Sequence, residues 1–379
     1  MTNKIYNKNR NLIILLLIII ILSLSNIAYT AWAETIPTVS TRGHFDKSSG
    51  SSISNQLYKP LSNEVLDQIC GESEAVIYTH GVWTNEKGHS IKAVENAQEI
   101  FDRLKMSLKN AGYFDPLIGF SWDSDTEIDP YGNGWNVAKL IAKENGPKLA
   151  KFLLDLKNYC IEHHNNNIEL RLVGHSLGSR VILSALDILD NNNEWRLPNF
   201  KILTTTLLGG AVDNYEVLKN NIGIISIHDN IKDYYGNAIQ NQVTNFYNMY
   251  NPEDDVLEEK RWWTMEWDEP RYYPFYEGGD IAIGQNPLSK TALHMPTNYE
   301  NINVQNHITY KKDADNDRDG CDLPNLYYRY YWFYWPWIDS CTIFEKGDNH
   351  LGYIGFRNSD NSLMDNGAVD EVVKTWSPS

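Results

Sequence analysis

The chain has 379 residues, a formal net charge of −16 at pH 7 and four cysteines. The length suits one large domain or two ordinary ones. The acidic balance argues against nucleic acid, or an anionic membrane surface, as the main partner. Lys4, Lys8 and Arg10 are the only charges among residues 1–33, so a chain without that segment is more acidic still.

Leu12 to Leu22 is an unbroken apolar run, short for a membrane span, and Ala31-Trp32-Ala33 then supplies an A-x-A cleavage pattern. Residues 1–33 read as a secretory signal peptide, with an N-terminal membrane anchor as the competing reading. Membrane contact would come only through this segment, if uncleaved. For an exported chain, Cys70, Cys160, Cys321 and Cys341 imply two disulfides, with the connectivity open from the count alone. No C-x-x-C or Cys/His spacing suggests zinc.

Residues 34–60 are rich in Ser, Thr and Gly and read as a flexible lead-in to a domain over 61–379. Ala75 to Thr79 is a buried-strand pattern ending in His80-Gly81. Residues 91–110 carry Ala93, Ala97, Ile100, Leu104 and Leu108 at helical spacing. Pro116 to Trp122 is the next strand, and residues 135–159 a long helix. A strand over 169–173, a helix from Ser179 to Leu189, and strands at Ile202–Leu208 and Val243–Tyr250 follow. The C-terminal helix is expected over Asn366–Trp376. Apolar strands alternating with helices predict an α/β fold: a mostly parallel sheet covered on both faces. Between about 258 and 345 the helical period disappears and aromatics accumulate, from Trp262, Trp263 and Trp267 to the run Tyr327–Trp337. This stretch reads as an insert: a decorated loop layer, or the wall or lid of a cleft.

Gly174-His175-Ser176-Leu177-Gly178 lies between a strand and a helix, the context of a nucleophile elbow; the plain alternative is a strand-to-helix turn with a capping serine. A serine hydroxyl needs a base to take its proton and a carboxylate to orient that base. Asp254 and Asp255 lie just beyond a later strand. Asp254 is preferred because Val256-Leu257 can turn back into the core, and Asp255 stays open. His350, in Gly347-Asp348-Asn349-His350-Leu351-Gly352, lies before the last helix; His294 and His307 are its rivals. His163 and His164 read as solvated surface, and His175 as a structural filler of the elbow. The amides of Leu177 and Val82 would form the oxyanion hole.

These motifs resemble the α/β-hydrolase superfamily, in its lipase/esterase-like branch with a Gly-His-Ser-Leu-Gly elbow. His80-Gly81, Gly174 to Gly178, Gly209-Gly210-Ala211, Asp254 and His350 follow the family's order, over roughly residues 70–257 and 345–379. Phe120-Ser121-Trp122-Asp123-Ser124 also resembles secreted members of that branch. The resemblance implies hydrolysis of a carboxylic ester, lipid-like or an acylated small molecule or glycan, through an acyl-serine intermediate and with no cofactor. It also implies strands 75–79 and 169–173 side by side, which would bring Cys70 to Cys160 and leave Cys321 with Cys341; free buried thiols are the alternative. Two other readings share the site: a silent hydrolase-fold binding or surface protein, and a peptidase or acyltransferase.

One further motif lies in the insert. Asp315, Asp317, Asp319 and Asp322 alternate around Gly320, like the first half of a calcium loop. The twelfth position from Asp315 is Leu326 rather than a glutamate, so an EF-hand is not expected. The spacing is closer to the Asp-rich loops of thrombospondin-type repeats. Calcium here would be structural; a solvated acidic turn is the alternative.

Overall fold

The alternation of apolar strands and helices builds one parallel sheet. The computed structural model describes residues 36–82, 84–85, 95–126, 133–196, 200–219, 233–254, 256–257, 281–308, 350, 352–357 and 363–376. Its strands are β1 (Thr38–Ser40), β2 (Glu74–Thr79), β3 (Leu117–Ser121), β4 (Glu169–His175), β5 (Ile202–Leu208), β6 (Val243–Tyr250) and β7 (Tyr299–Asn303). They form a seven-stranded sheet in the order β1-β3-β2-β4-β5-β6-β7, and every pairing in it is parallel. The helices are α1 (Asn63–Cys70), α2 (Ala97–Asn110), α3 (Asn133–His164), α4 (Gly178–Asp190), α5 (Gly236–Gln242) and α6 (Val369–Trp376).

Side-chain alternation along the strands divides the core into two layers. Ala75 and Ile77 of β2, Ile118 and Phe120 of β3, and Leu170 and Leu172 of β4 join one buried cluster with residues of α3 and α4. The intervening Val76 and Tyr78 are equally buried but face the other way, where Tyr78 meets Phe101 of α2 edge-on at 5.9 Å. Helices therefore cover both faces of the parallel sheet, the α/β architecture expected from the sequence. The register sets the site: Thr79 stands opposite Gly174 and His175 opposite Leu208. The carboxyl ends of β2, β4 and β5 thus share one edge of the sheet.

Two sheet edges differ from expectation. The stretch read as a flexible lead-in supplies β1, and Lys59 N donates to Ser40 O at 2.8 Å, so the Ser/Thr/Gly-rich segment is held against the sheet. Tyr299–Asn303, inside the expected insert, is the opposite edge strand. An edge strand pairs on one side only and needs no apolar run, which is why neither segment looks like a buried strand. Helix α2 starts at Ala97 with the Asn96 side chain capping Gln98 N at 2.9 Å; Glu95–Asn96, expected as its first turns, pair with Thr84–Asn85. Among the described residues no helix is long and apolar enough to cross a membrane.

Cys70 and Cys160 form a disulfide, Cα–Cα 5.0 Å, closing a loop with a sequence separation of 90. It ties α1 to α3. Replacing both cysteines by serine is expected to cost about 2–4 kcal/mol, read as a lower denaturation midpoint; an unchanged midpoint would contradict this. Cys321 and Cys341 lie outside the described residues.

Candidate active site

β4 runs into Ser176 and α4 begins at Gly178. Ser176 has φ +52°, a left-handed conformation that costs a β-carbon-bearing residue about 1–3 kcal/mol. The surroundings impose it: Ser176 N donates to Leu208 O at 3.0 Å, and Ser176 O accepts from Ala211 N and Ser179 N, each at 3.1 Å. Gly178 is needed because a Cβ there would fall 2.3 Å from Thr79 O and 2.6 Å from His80 O. The elbow is thus pressed onto the end of β2. In return, a Cβ on Gly81 would stand 3.0 Å from Ser176 Cβ and 3.5 Å from its Oγ, so the loop after β2 lies directly against the serine.

That loop is fixed by a buried histidine. His80 Nε2 accepts from Trp122 N at 3.2 Å and meets Arg42 Nη2 at 3.2 Å. Its proton therefore belongs on Nδ1, which donates to Gly81 O at 2.9 Å. Burial and the neighbouring Arg42 guanidinium hold His80 well below the usual histidine range, so the ring is neutral. Because the peptide is planar and trans, anchoring Gly81 O on one side directs the Val82 N–H to the other. Arg42 also donates to Ser121 Oγ at 2.7 Å, Thr84 O at 2.8 Å and Asp125 at 3.3 Å. The buried Asp123 carboxylate accepts from the N–H groups of Gly43, His44 and Phe45 at 2.9, 3.0 and 3.1 Å. The lead-in thereby clamps the loop that touches Ser176.

Asp254 lies beyond β6 and is completely buried. Its Oδ1 accepts from Val256 N and Leu257 N, each at 3.1 Å. Its Oδ2 is left for His350 Nδ1, at 2.7 Å. His350 Nε2 is buried with no hydrogen-bond partner among the described residues. The two residues are 96 positions apart in the chain and come to the elbow from separate loops: His175 Nε2 lies 2.8 Å from His350 O. Tyr353 packs beneath them, its ring filling the space beside Gly209 and its hydroxyl donating to Gly284 O at 3.2 Å.

Ser176, Leu177, Gly81-Val82, Asp254 and His350 are thus gathered at one edge of the sheet. Of the rival histidines, His307 pairs elsewhere, with Glu371 at 3.2 Å. His164 pairs with Asp67 at 2.8 Å on the surface. Asp255 lies outside the described residues, as do Asp315, Asp317, Asp319 and Asp322. Among the described residues no group of three or more His, Cys, Asp or Glu side chains is arranged to hold a metal ion. The sequence reading missed Arg42 and the role of Asp123. Arg42, alone in a Ser/Thr/Gly-rich run, carries no spacing signal; the Trp-Asp pair after β3 was visible, but not what it holds.

No family model matches the chain, and no curated protein matches it. Among solved structures it is similar to Trichoderma reesei cutinase in complex with a C11Y4 phosphonate inhibitor, at 16% identity and a TM-score of 0.21, covering 36% of this chain and 52% of that one. A putative hydrolase of the alpha/beta superfamily from Xanthomonas campestris pv. campestris is 12% identical, with a TM-score of 0.20, covering 47% of this chain and 71% of that one. The esterase Est22 is 15% identical, with a TM-score of 0.25, covering 48% of this chain and 54% of that one. The chain spans about half the length of the cutinase and of Est22. At TM-scores this low the likeness bears on neither substrate nor chemistry.

Proposed function

We propose that the chain is an exported serine hydrolase that cleaves carboxylic esters through an acyl-serine intermediate. One observation carries the reading: the buried 2.7 Å contact between His350 Nδ1 and Asp254 Oδ2, beside an elbow that holds Ser176 at φ +52°. A carboxylate on Nδ1 keeps that proton in place and leaves Nε2 as the free base. Ser176 Oγ attacks the ester carbonyl carbon as its proton passes to His350 Nε2. The tetrahedral oxyanion takes the Val82 and Leu177 N–H groups. Collapse breaks the carbon–oxygen bond to the alcohol, which leaves with the proton from His350. Water, deprotonated by His350, then releases the acid and restores Ser176.

The orientation of the Val82 amide supports its share of the oxyanion hole, since Gly81 O is tied back to His80. The Cys70–Cys160 disulfide supports export. The substrate is proposed to be a lipid or acylated-glycan type of ester. A p-nitrophenyl ester chain-length series tests the reading. Ser176→Ala is expected to lower kcat by about 10⁶-fold at an unchanged melting temperature. Turnover that survives Ser176→Ala would overturn it, and the preferred acyl length distinguishes short acyl groups from lipid.

A further inference from the structure

We infer that His175 is a positioning residue for the reaction: its ring pins the main chain of His350 to the elbow, so that the residue beside the nucleophile fixes where the base stands. This rests on the assignment of Ser176, His350 and Asp254 proposed above.

His350 needs two restraints. The bond from Nδ1 to Asp254 sets which way the ring faces. It does not set how far the loop carrying His350 stands from Ser176, because Asp254 belongs to another loop. The contact of His175 Nε2 with His350 O, 2.8 Å, supplies that second restraint. His175 is the last residue of β4 and Ser176 is the next in the chain. The spacing between nucleophile and base is therefore set within one short, rigid stretch of backbone.

The chemistry of the ring agrees. A carbonyl only accepts, so Nε2 must carry the hydrogen, and Nδ1 is left bare. Burial, followed by the nearby His350, drives His175 down to about 3, so the ring is neutral in a single tautomer. Nδ1 is buried with no hydrogen-bond partner among the described residues. An unpaired buried acceptor is a cost that a phenyl ring would avoid, and the histidine retains it together with its one donor. The rings of His175 and His350 are 4.9 Å apart between centroids. A neutral neighbour at that distance does not oppose the positive charge that His350 acquires on taking the serine proton. On its other side His175 borders the oxyanion loop, since a Cβ on Gly81 would stand 3.5 Å from its Nδ1.

Three variants of the full chain separate this role from space filling. His175→Gln keeps an N–H near the level of Nε2. His175→Asn has one only near Nδ1, and His175→Phe has none. The readouts are kcat and KM on a p-nitrophenyl ester, the rate of fluorophosphonate labelling of Ser176, and the melting temperature. Phe and Asn are expected to lower kcat and the labelling rate by about 10- to 100-fold, the scale of a base misplaced by an ångström, with KM little changed; Gln is expected to recover most of the loss. Wild-type kcat in the Asn or Phe variant overturns the inference. So does a Gln variant as slow as Asn at the same melting temperature. If the Phe variant does not fold, the Gln and Asn pair decides. A wild-type chain that neither turns over ester nor takes the label fails the hydrolase reading, and this inference with it; a labelled wild type matched by Asn fails this inference alone.

Discussion

Asp254→Asn is expected to lower kcat about 10⁴-fold with KM nearly unchanged. The reason is the division of labour between the two carboxylate oxygens. Oδ1 accepts from Val256 N and Leu257 N, and an asparagine carbonyl can keep both bonds, so the loop and the fold stay in place. At the Oδ2 position asparagine instead presents an NH₂ to His350 Nδ1. Two donors cannot face each other, so His350 moves its proton to Nε2 and has no lone pair for the serine proton. The loss falls on the chemical step rather than on substrate binding. Steady-state kinetics with a melting curve check this. A variant within tenfold of wild type would mean that Asp254 does not orient the base.

At pH 9, Arg180→Met is expected to cost about 3–5 kcal/mol of stability. Arg180 lies on α4, four residues beyond Ser176, and Glu216 follows β5. Nη1 donates to Oε1 at 3.2 Å, and Nη2 stands 3.1 Å from Oε2, between side chains only 3% and 1% exposed. Burial already pushes Glu216 up to about 8 from 4.5, with Arg180 pulling it back down. Removing Arg180 leaves a buried carboxyl that must either hold its proton or stand uncompensated. The folded state of a group with a raised pKa binds the extra proton, so stability falls as pH rises above 4.5. The variant should therefore lose more at pH 9 than at pH 5. Chemical denaturation at both pH values measures this, and Arg180→Met with Glu216→Leu should recover most of the loss. A single-variant cost under about 1 kcal/mol would contradict the pair's role.

What was legible in the sequence follows from burial and order. β2 and β3 are interior strands whose apolar runs, Ala75–Tyr78 and Leu117–Phe120, stand out. The elbow, the His-Gly strand end, Asp254 and His350 follow one another in a set order and so could be singled out without coordinates. β1 and β7 were hidden because edge strands such as Thr38–Ser40 and Tyr299–Asn303 carry polar residues. The clamp of Arg42 on His80 and the bond from His175 to His350 were hidden for a different reason. Hydrogen bonds to main-chain groups and between distant loops impose no residue-type pattern on the partner. His350 O would be a carbonyl whatever residue stood there.

Nucleophilic attack by Ser176 is tested most directly by covalent labelling. The purified full chain is treated with a fluorophosphonate and analysed by intact mass and by peptide mapping. The expected result is one adduct per chain, carried by Ser176, absent from Ser176→Ala and strongly slowed in His350→Ala. A folded wild-type chain that takes no label, or one labelled equally in Ser176→Ala, would contradict it.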